Sequence, residues 1–187
     1  MPKPMAPVSK MDAGAPADQP SEERRLIDCG DLNMRIARDG TWFYHGSPIG
    51  RKPLVKLFAS VLRREANGEY WLVTPAERGR VEVEDAPFVA VELAIEGSGR
   101  DQVLRFRTNL DDWTEAGPER PIRVEPGDAR AGPRPYVMVR NGLEALIARP
   151  VFYELVALAE PKGKGAQEMG VWSKGAFFPL SAADGPG

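Results

Sequence analysis

DCGDLNMRIARDGTWFYHG (residues 28–46) alternates apolar and polar residues on either side of a tight turn. Leu32, Met34 and Ile36 fall on one face of an extended chain, Arg38-Asp39-Gly40 supplies the reversal, and a second run passes through Trp42 and Tyr44. This is the pattern of a β-hairpin closed by an Asp-Gly turn. In the next stretch, GSPIGRKPLVKLFASVL (residues 46–62), the period changes. Pro53 suits the first turn of a helix, and Leu54, Leu57, Phe58, Val61 and Leu62 recur at helical spacing. A short amphipathic helix is expected, ending near Asn67-Gly68, with EYWLVTP (69–75) as the strand that follows.

Further on, Val81 and Val83, then Val89, Val91, Leu93 and Ile95, alternate in two segments, and Gly97-Ser98-Gly99 turns the chain into a strand around Leu104 and Phe106. A meandering antiparallel sheet is the simplest account. PIRVEP (121–126) is a further short strand. YVMVRNGLEALIARPVFYELVALAEP (136–161) then repeats the earlier order: strand, Arg-Asn-Gly turn, returning strand, a cation followed by proline, and an amphipathic helix. EMGVWSKGAFFPL (168–180) reads as a closing strand. Arg140-Asn141-Gly142 echoes Arg38-Asp39-Gly40 and Arg149-Pro150 echoes Lys52-Pro53, so the chain reads as an internal duplication. In it Phe152 and Leu155 anchor the second helix as Leu57 and Phe58 anchor the first.

The expected fold is α+β, in two related halves, each a curved and mainly antiparallel sheet packed on one short amphipathic helix. Residues 1–22 are rich in Pro and Ala, lack a hydrophobic period and read as a disordered tail. The halves are expected over 23–85 and 86–187.

Composition narrows the function. With 25 basic against 27 acidic residues in 187, there is no cationic excess for bulk nucleic-acid binding. The one cysteine, Cys29, excludes an intrachain disulfide and a tetrathiolate metal site, and a reducing, cytoplasmic compartment fits. The N-terminal residues carry prolines and charges where an export signal needs an apolar run, and no segment is long and apolar enough to span a bilayer. No membrane partner, metal or cofactor is expected.

Individual residues offer chemistry weighed against plain structure. His45, the one histidine, lacks a second imidazole for a metal and reads as a polar strand-end residue. GSPIGRKP (46–53) departs from a phosphate-binding P-loop: three residues separate Gly46 from Gly50, and Pro53 stands where a hydroxyl would hold magnesium. Trp42, Phe43 and Tyr44 suit sheet packing better than base stacking. Glu82 and Glu84 fall opposite the valines, on a solvated strand face with Asp85 just beyond. Arg51, Lys52 and Arg149 stand at helix starts, where the partial positive charge of the helix normally favours acids or hydroxyls. Either an anion binds among these cations and the free backbone amides, or the long side chains simply reach water.

The runs at 30–65 and 70–93, Thr108-Asn109, and the runs at 135–155 and 170–180 together resemble the bacterial domain-of-unknown-function family numbered twelve-eighty-five, over nearly everything after the tail. The resemblance implies a second half superficially like a pleckstrin-homology domain. It also implies a nucleotide-like ligand at the interface of the halves and a role in signal transduction. The implied cleft would draw on Arg51, Thr74, Glu77, Thr108, Asn109, Arg140 and Arg149, with Lys52 beside Arg51. Arg120, in PERPIRV (118–124), replaces a histidine expected before the proline, against any role for a titrating imidazole there.

The function expected is therefore a non-catalytic cytoplasmic protein that senses a small anionic, nucleotide-like ligand between its halves and passes the signal to a protein partner. Two alternatives stand beside it: an interaction module without a small ligand, and a hydrolase or transferase working through Glu77 or His45.

Overall fold

A computed structural model describes residues 26–127, 132–164 and 167–181. The first half runs β1 (Ile27–Ile36), β2 (Trp42–Tyr44), β3 (Ser47–Pro48), α1 (Lys52–Val61), β4 (Leu62–Arg64), β5 (Tyr70–Val73) and β6 (Glu77–Val83). These strands form one sheet in the order β3-β2-β1-β6-β5-β4, antiparallel except where β1 lies parallel to β6. The second half runs β7 (Phe88–Glu96), β8 (Val103–Thr108), β9 (Trp113–Glu115), β10 (Ile122–Glu125), β11 (Arg134–Arg140), β12 (Leu143–Ile147), α2 (Arg149–Ala157), β13 (Glu160–Pro161), β14 (Met169–Ser173) and β15 (Ala176–Pro179). Its main sheet has the order β10-β11-β12-β7-β8-β9, again with a single parallel pair, β12 with β7. β13, β14 and β15 make a separate three-stranded sheet. The fold is α+β in two similar halves, each a mostly antiparallel sheet with one helix. The tail expected over residues 1–22 lies outside the described residues.

Both expected hairpins form, with different loops. Ala37 N–H donates to the Thr41 carbonyl at 2.9 Å, leaving Arg38-Asp39-Gly40 as a three-residue loop with Gly40 at φ +84°. Asn141 and Gly142, at φ 42° and 78°, make the tighter two-residue loop between β11 and β12. Each hairpin feeds a helix with proline in its first turn, no acidic residue there and no side-chain cap. Such helices gain little from their own termini and depend on tertiary packing.

Four expectations are corrected. α1 ends at Val61, short of Asn67-Gly68, because Leu62–Arg64 leave the helix to pair with Tyr70–Leu72 as β4. Leu57 does not anchor α1: it is 61% exposed, and the buried α1 residues are Val55 and Ala59. The face of β7 changes along the strand because a bulge falls at Val91, between the pairs Ala90↔Thr108 and Glu92↔Arg107. Phe88 and Ala90 are therefore buried while Val91 is exposed. The closing segment is a hairpin, β14 to β15, turning at Lys174 and Gly175 with φ 50° and 74°.

A continuous apolar core joins the halves, from Ile36, Trp42 and Leu62 through Phe88 and Phe106 to Ile147, Leu155 and Val171. None of the described helices is long and apolar enough to cross a membrane.

Candidate functional site

α1 meets both halves of the molecule with different faces. Val55 shares a small hollow with Asn109 and Leu110 of the second half. Leu54, Phe58 and Val61 look the other way and roof a cavity of about 490 Å³ within the first half. The sheet supplies the floor: Leu32 and Met34 from β1, Tyr44 from β2, Leu72 from β5 and Gly79 from β6, with Ile49 closing the side. Gly79 is what lets the floor close up. A Cβ there would stand 2.4 Å from Leu32 Cγ, so the leucine lies directly over the bare backbone.

The remaining lining residues, Cys29, Thr74, Glu77 and Arg78, are polar. The parallel β1·β6 pairing gathers them at one end, since Ile27 pairs with Glu77 and Asp28 with Arg78. Thr74 stabilises the turn that brings β5 into β6: its hydroxyl donates to the Glu77 carbonyl at 3.0 Å and accepts the Glu77 N–H at 3.1 Å. Arg78 donates to Asp28 Oδ2 and to Glu65 Oε1, both at 2.9 Å, and its guanidinium lies over the Trp71 ring. Among the described residues the Glu77 carboxylate receives only the Cys29 thiol, at 3.6 Å. Desolvation, and then the Glu77 charge, raise the Cys29 pKa above its ordinary value, so the thiol keeps its proton.

The sequence-predicted residues divide between this cavity and the seam of the halves. Thr74 and Glu77 come together at the cavity mouth. Thr108 is fully buried, and its hydroxyl accepts the N–H groups of Leu110 and Asp112. Asn109 accepts the Val89 N–H at 3.0 Å and donates to the Gly40 carbonyl at 3.3 Å, tying the first hairpin to β7. Arg140 donates to the Ala59 carbonyl at 2.7 Å, at the open end of α1, and lies over Phe88. Asn109 and Arg140 tie the halves together, whereas the Thr108 hydroxyl is spent on the turn that follows it within the second half. Lys52 and Lys56 both pair with Asp111 at 2.9 Å. Arg51 takes the N-cap position of α1 without a side-chain capping bond, and Arg149 is the exposed first residue of α2. His45 stands in the β2–β3 turn at φ 46°, edge-on to Tyr44, outside the residues that line the cavity.

The two lysines hold Asp111 well below its ordinary carboxyl pKa, at about 2 against 3.8. A depressed carboxyl pKa contributes stability that is complete above the unfolded value and fades as pH falls through the folded one. Asp111 has φ 67°, a conformation asparagine tolerates, so Asp111→Asn isolates the charge. Thermal melts at low salt should show wild type the more stable at neutral pH. The gap should close as pH falls from 3.8 towards about 2. A gap independent of pH would place the effect elsewhere.

Sequence reasoning missed Asp85 as a bridge. Its buried carboxylate accepts hydrogen bonds across the seam from Arg134 and the Tyr136 hydroxyl, with Arg38 of its own half 3.5 Å away. Burial and this bond raise the Tyr136 pKa, keeping the phenol a donor. Gly79, lone in the middle of a strand, was the one visible signal of the close packing beside the cavity. Among the described residues no group of three His, Cys, Asp or Glu side chains is placed to hold a metal ion.

Fold and cavity define a two-half α+β protein with a ligand-sized chamber inside its first half. Sequence profiles of the DUF1285 family, whose function is unknown, match both halves: its N-terminal domain over residues 20–86 and its C-terminal domain over 87–180. The chain belongs to this family. It is similar to the crystal structure of a DUF1285 family protein from Silicibacter pomeroyi DSS-3, with 46% identity, 91% of each chain covered and a TM-score of 0.79. A second crystal structure, of a DUF1285 family protein from Shewanella baltica OS155, is 27% identical over 68% of this chain and 91% of the other, with a TM-score of 0.54. No curated protein matches the chain.

Proposed function

We propose that this is a non-catalytic small-molecule-binding protein whose ligand lies beneath α1. The observation that carries the reading is the solvent-open cavity of about 490 Å³ between α1 and the sheet, at the margin of the core. Its volume falls in the range of ligand sites, and its mostly apolar wall with a few convergent polar groups has the composition of one. The chemistry at its mouth supports binding over catalysis: the Cys29 thiol keeps its proton and His45 lies elsewhere. A sensing role fits the position of α1, which roofs the cavity and is gripped by Asp111 and Arg140 of the second half. A ligand that shifts the roof would act directly on those grips, and through them on a partner bound to the second half. The cytoplasm suits the single exposed thiol.

Titration with a neutral, apolar, environment-sensitive dye tests this reading. One saturable site is expected. Val61→Phe, which enlarges a half-buried roof residue into the chamber, should weaken the dye about tenfold or more while leaving the melting temperature nearly unchanged. Arg51→Met should bind the dye as wild type does. If instead phosphate or a nucleotide stabilises wild type, the dye finds no site and Arg51→Met abolishes the phosphate effect, the ligand is anionic and sits at the start of α1.

A further inference from the structure

The cavity gathers its polar groups at the Cys29–Glu77 end and is otherwise apolar apart from the Tyr44 side chain, so it suits a ligand with an apolar body and a polar head. Each polar group at the mouth already has a defined state. The Arg78 guanidinium is held between Asp28 and Glu65, two carboxylates for one cation. The Thr74 hydroxyl is engaged as both donor and acceptor within its own turn. Cys29 stays a thiol, a weak donor, and it points its proton at Glu77. Glu77 therefore keeps most of its acceptor capacity, having no cation paired with it among the described residues.

The charges consequently sum to negative: Glu77, Asp28 and Glu65 against Arg78. A carboxylate or phosphate head would have to displace two carboxylates from Arg78 and then lie against Glu77. A donor head meets an acceptor whose present partner is only a thiol. We infer that the cavity takes a slender apolar molecule whose head donates hydrogen bonds, an aliphatic or aryl-alkyl amine or alcohol, with Glu77 as the specificity-determining residue. This rests on the reading that the cavity is the ligand site. It differs from the anionic, nucleotide-like ligand expected from the sequence in both charge and place.

Octylamine, octanol and octanoate share one chain and differ in the head. Titrated calorimetrically into the full chain below their micellar concentrations, amine and alcohol should bind about tenfold or more tightly than the carboxylate, as one charge-assisted hydrogen bond gained or opposed implies. Glu77→Gln, at an exposed position, should fold normally and bring octylamine and octanoate to within about threefold of each other. Glu77→Lys should reverse the order. Octanoate binding wild type as tightly as octylamine overturns the inference about the head, as does a preference unchanged in both variants; the cavity remains the site in either case. No binding by any of the three overturns the inference together with the reading beneath it.

Discussion

Phe152→Ala should lower the stability of the protein by roughly 3–5 kcal/mol, the usual cost of truncating a buried aromatic. Phe152 is 4% exposed and, with Val151 and Leu155, forms the face by which α2 packs on β7. Phe58→Ala, in α1, should cost much less, about 1–2 kcal/mol. Phe58 is only half-buried, it stacks loosely on Trp42 with ring centroids 6.2 Å apart, and one side of it already faces a cavity. Urea unfolding of the two variants checks both values. Equal losses would mean that α1 is packed as tightly as α2 and that the chamber beneath it is filled in solution.

The second large effect belongs to Gly40. An added Cβ would stand 2.4 Å from Asn109 Nδ2 and 3.2 Å from Val89 Cγ2, on a backbone at φ +84°. Gly40→Ala should therefore cost roughly 2–4 kcal/mol, joining the strain of a left-handed alanine to that of an overfilled site. Asn109→Ala alone should cost about 1–3 kcal/mol through the Val89 amide and Gly40 carbonyl it leaves unpaired. With Asn109 already truncated, the new methyl loses its 2.4 Å clash and meets only Val89 Cγ2 at 3.2 Å, so Gly40→Ala should then cost its backbone strain and little more. A double-mutant cycle by chemical denaturation should show coupling of about 1 kcal/mol or more. Additive losses would mean that the two residues do not meet and that the seam is built differently.

Both hairpins and both helices were legible because their signals are local. Alternation around Asp-Gly or Asn-Gly, followed by proline and an apolar helical period, needs no knowledge of distant partners. The partnership of the strands was not local. β1 finds β6 about fifty residues later, as the Arg35–Glu84 and Asp28–Arg78 contacts show, and only that pairing brings Cys29 to Glu77. The bulge at Val91 reverses the face of a strand without any mark in its alternation. Leu57 was misread because α1 packs on two sides, through Val55 and Ala59 towards one half and Leu54, Phe58 and Val61 towards the other. Its large apolar residues do not form the single stripe that a one-sided helix would show. The cavity is a place where packing stops, which a list of apolar residues does not record. Thr74 and Glu77 could be named from the resemblance, but the chamber they border could not.

The grip on α1 also sets an order of events during synthesis. Leaving the ribosome, α1 carries no capping side chain, no acid in its first turn and no base in its last. What closes its C-terminal end is Arg140, 81 residues later, and what neutralises Lys52 is Asp111, 59 residues later. The nascent first half can pair its strands at once, while the roof of its chamber waits for β11. The chamber is thus finished last, although its whole lining is translated first, and a chain interrupted before Arg140 carries that lining without the clasp that shuts it.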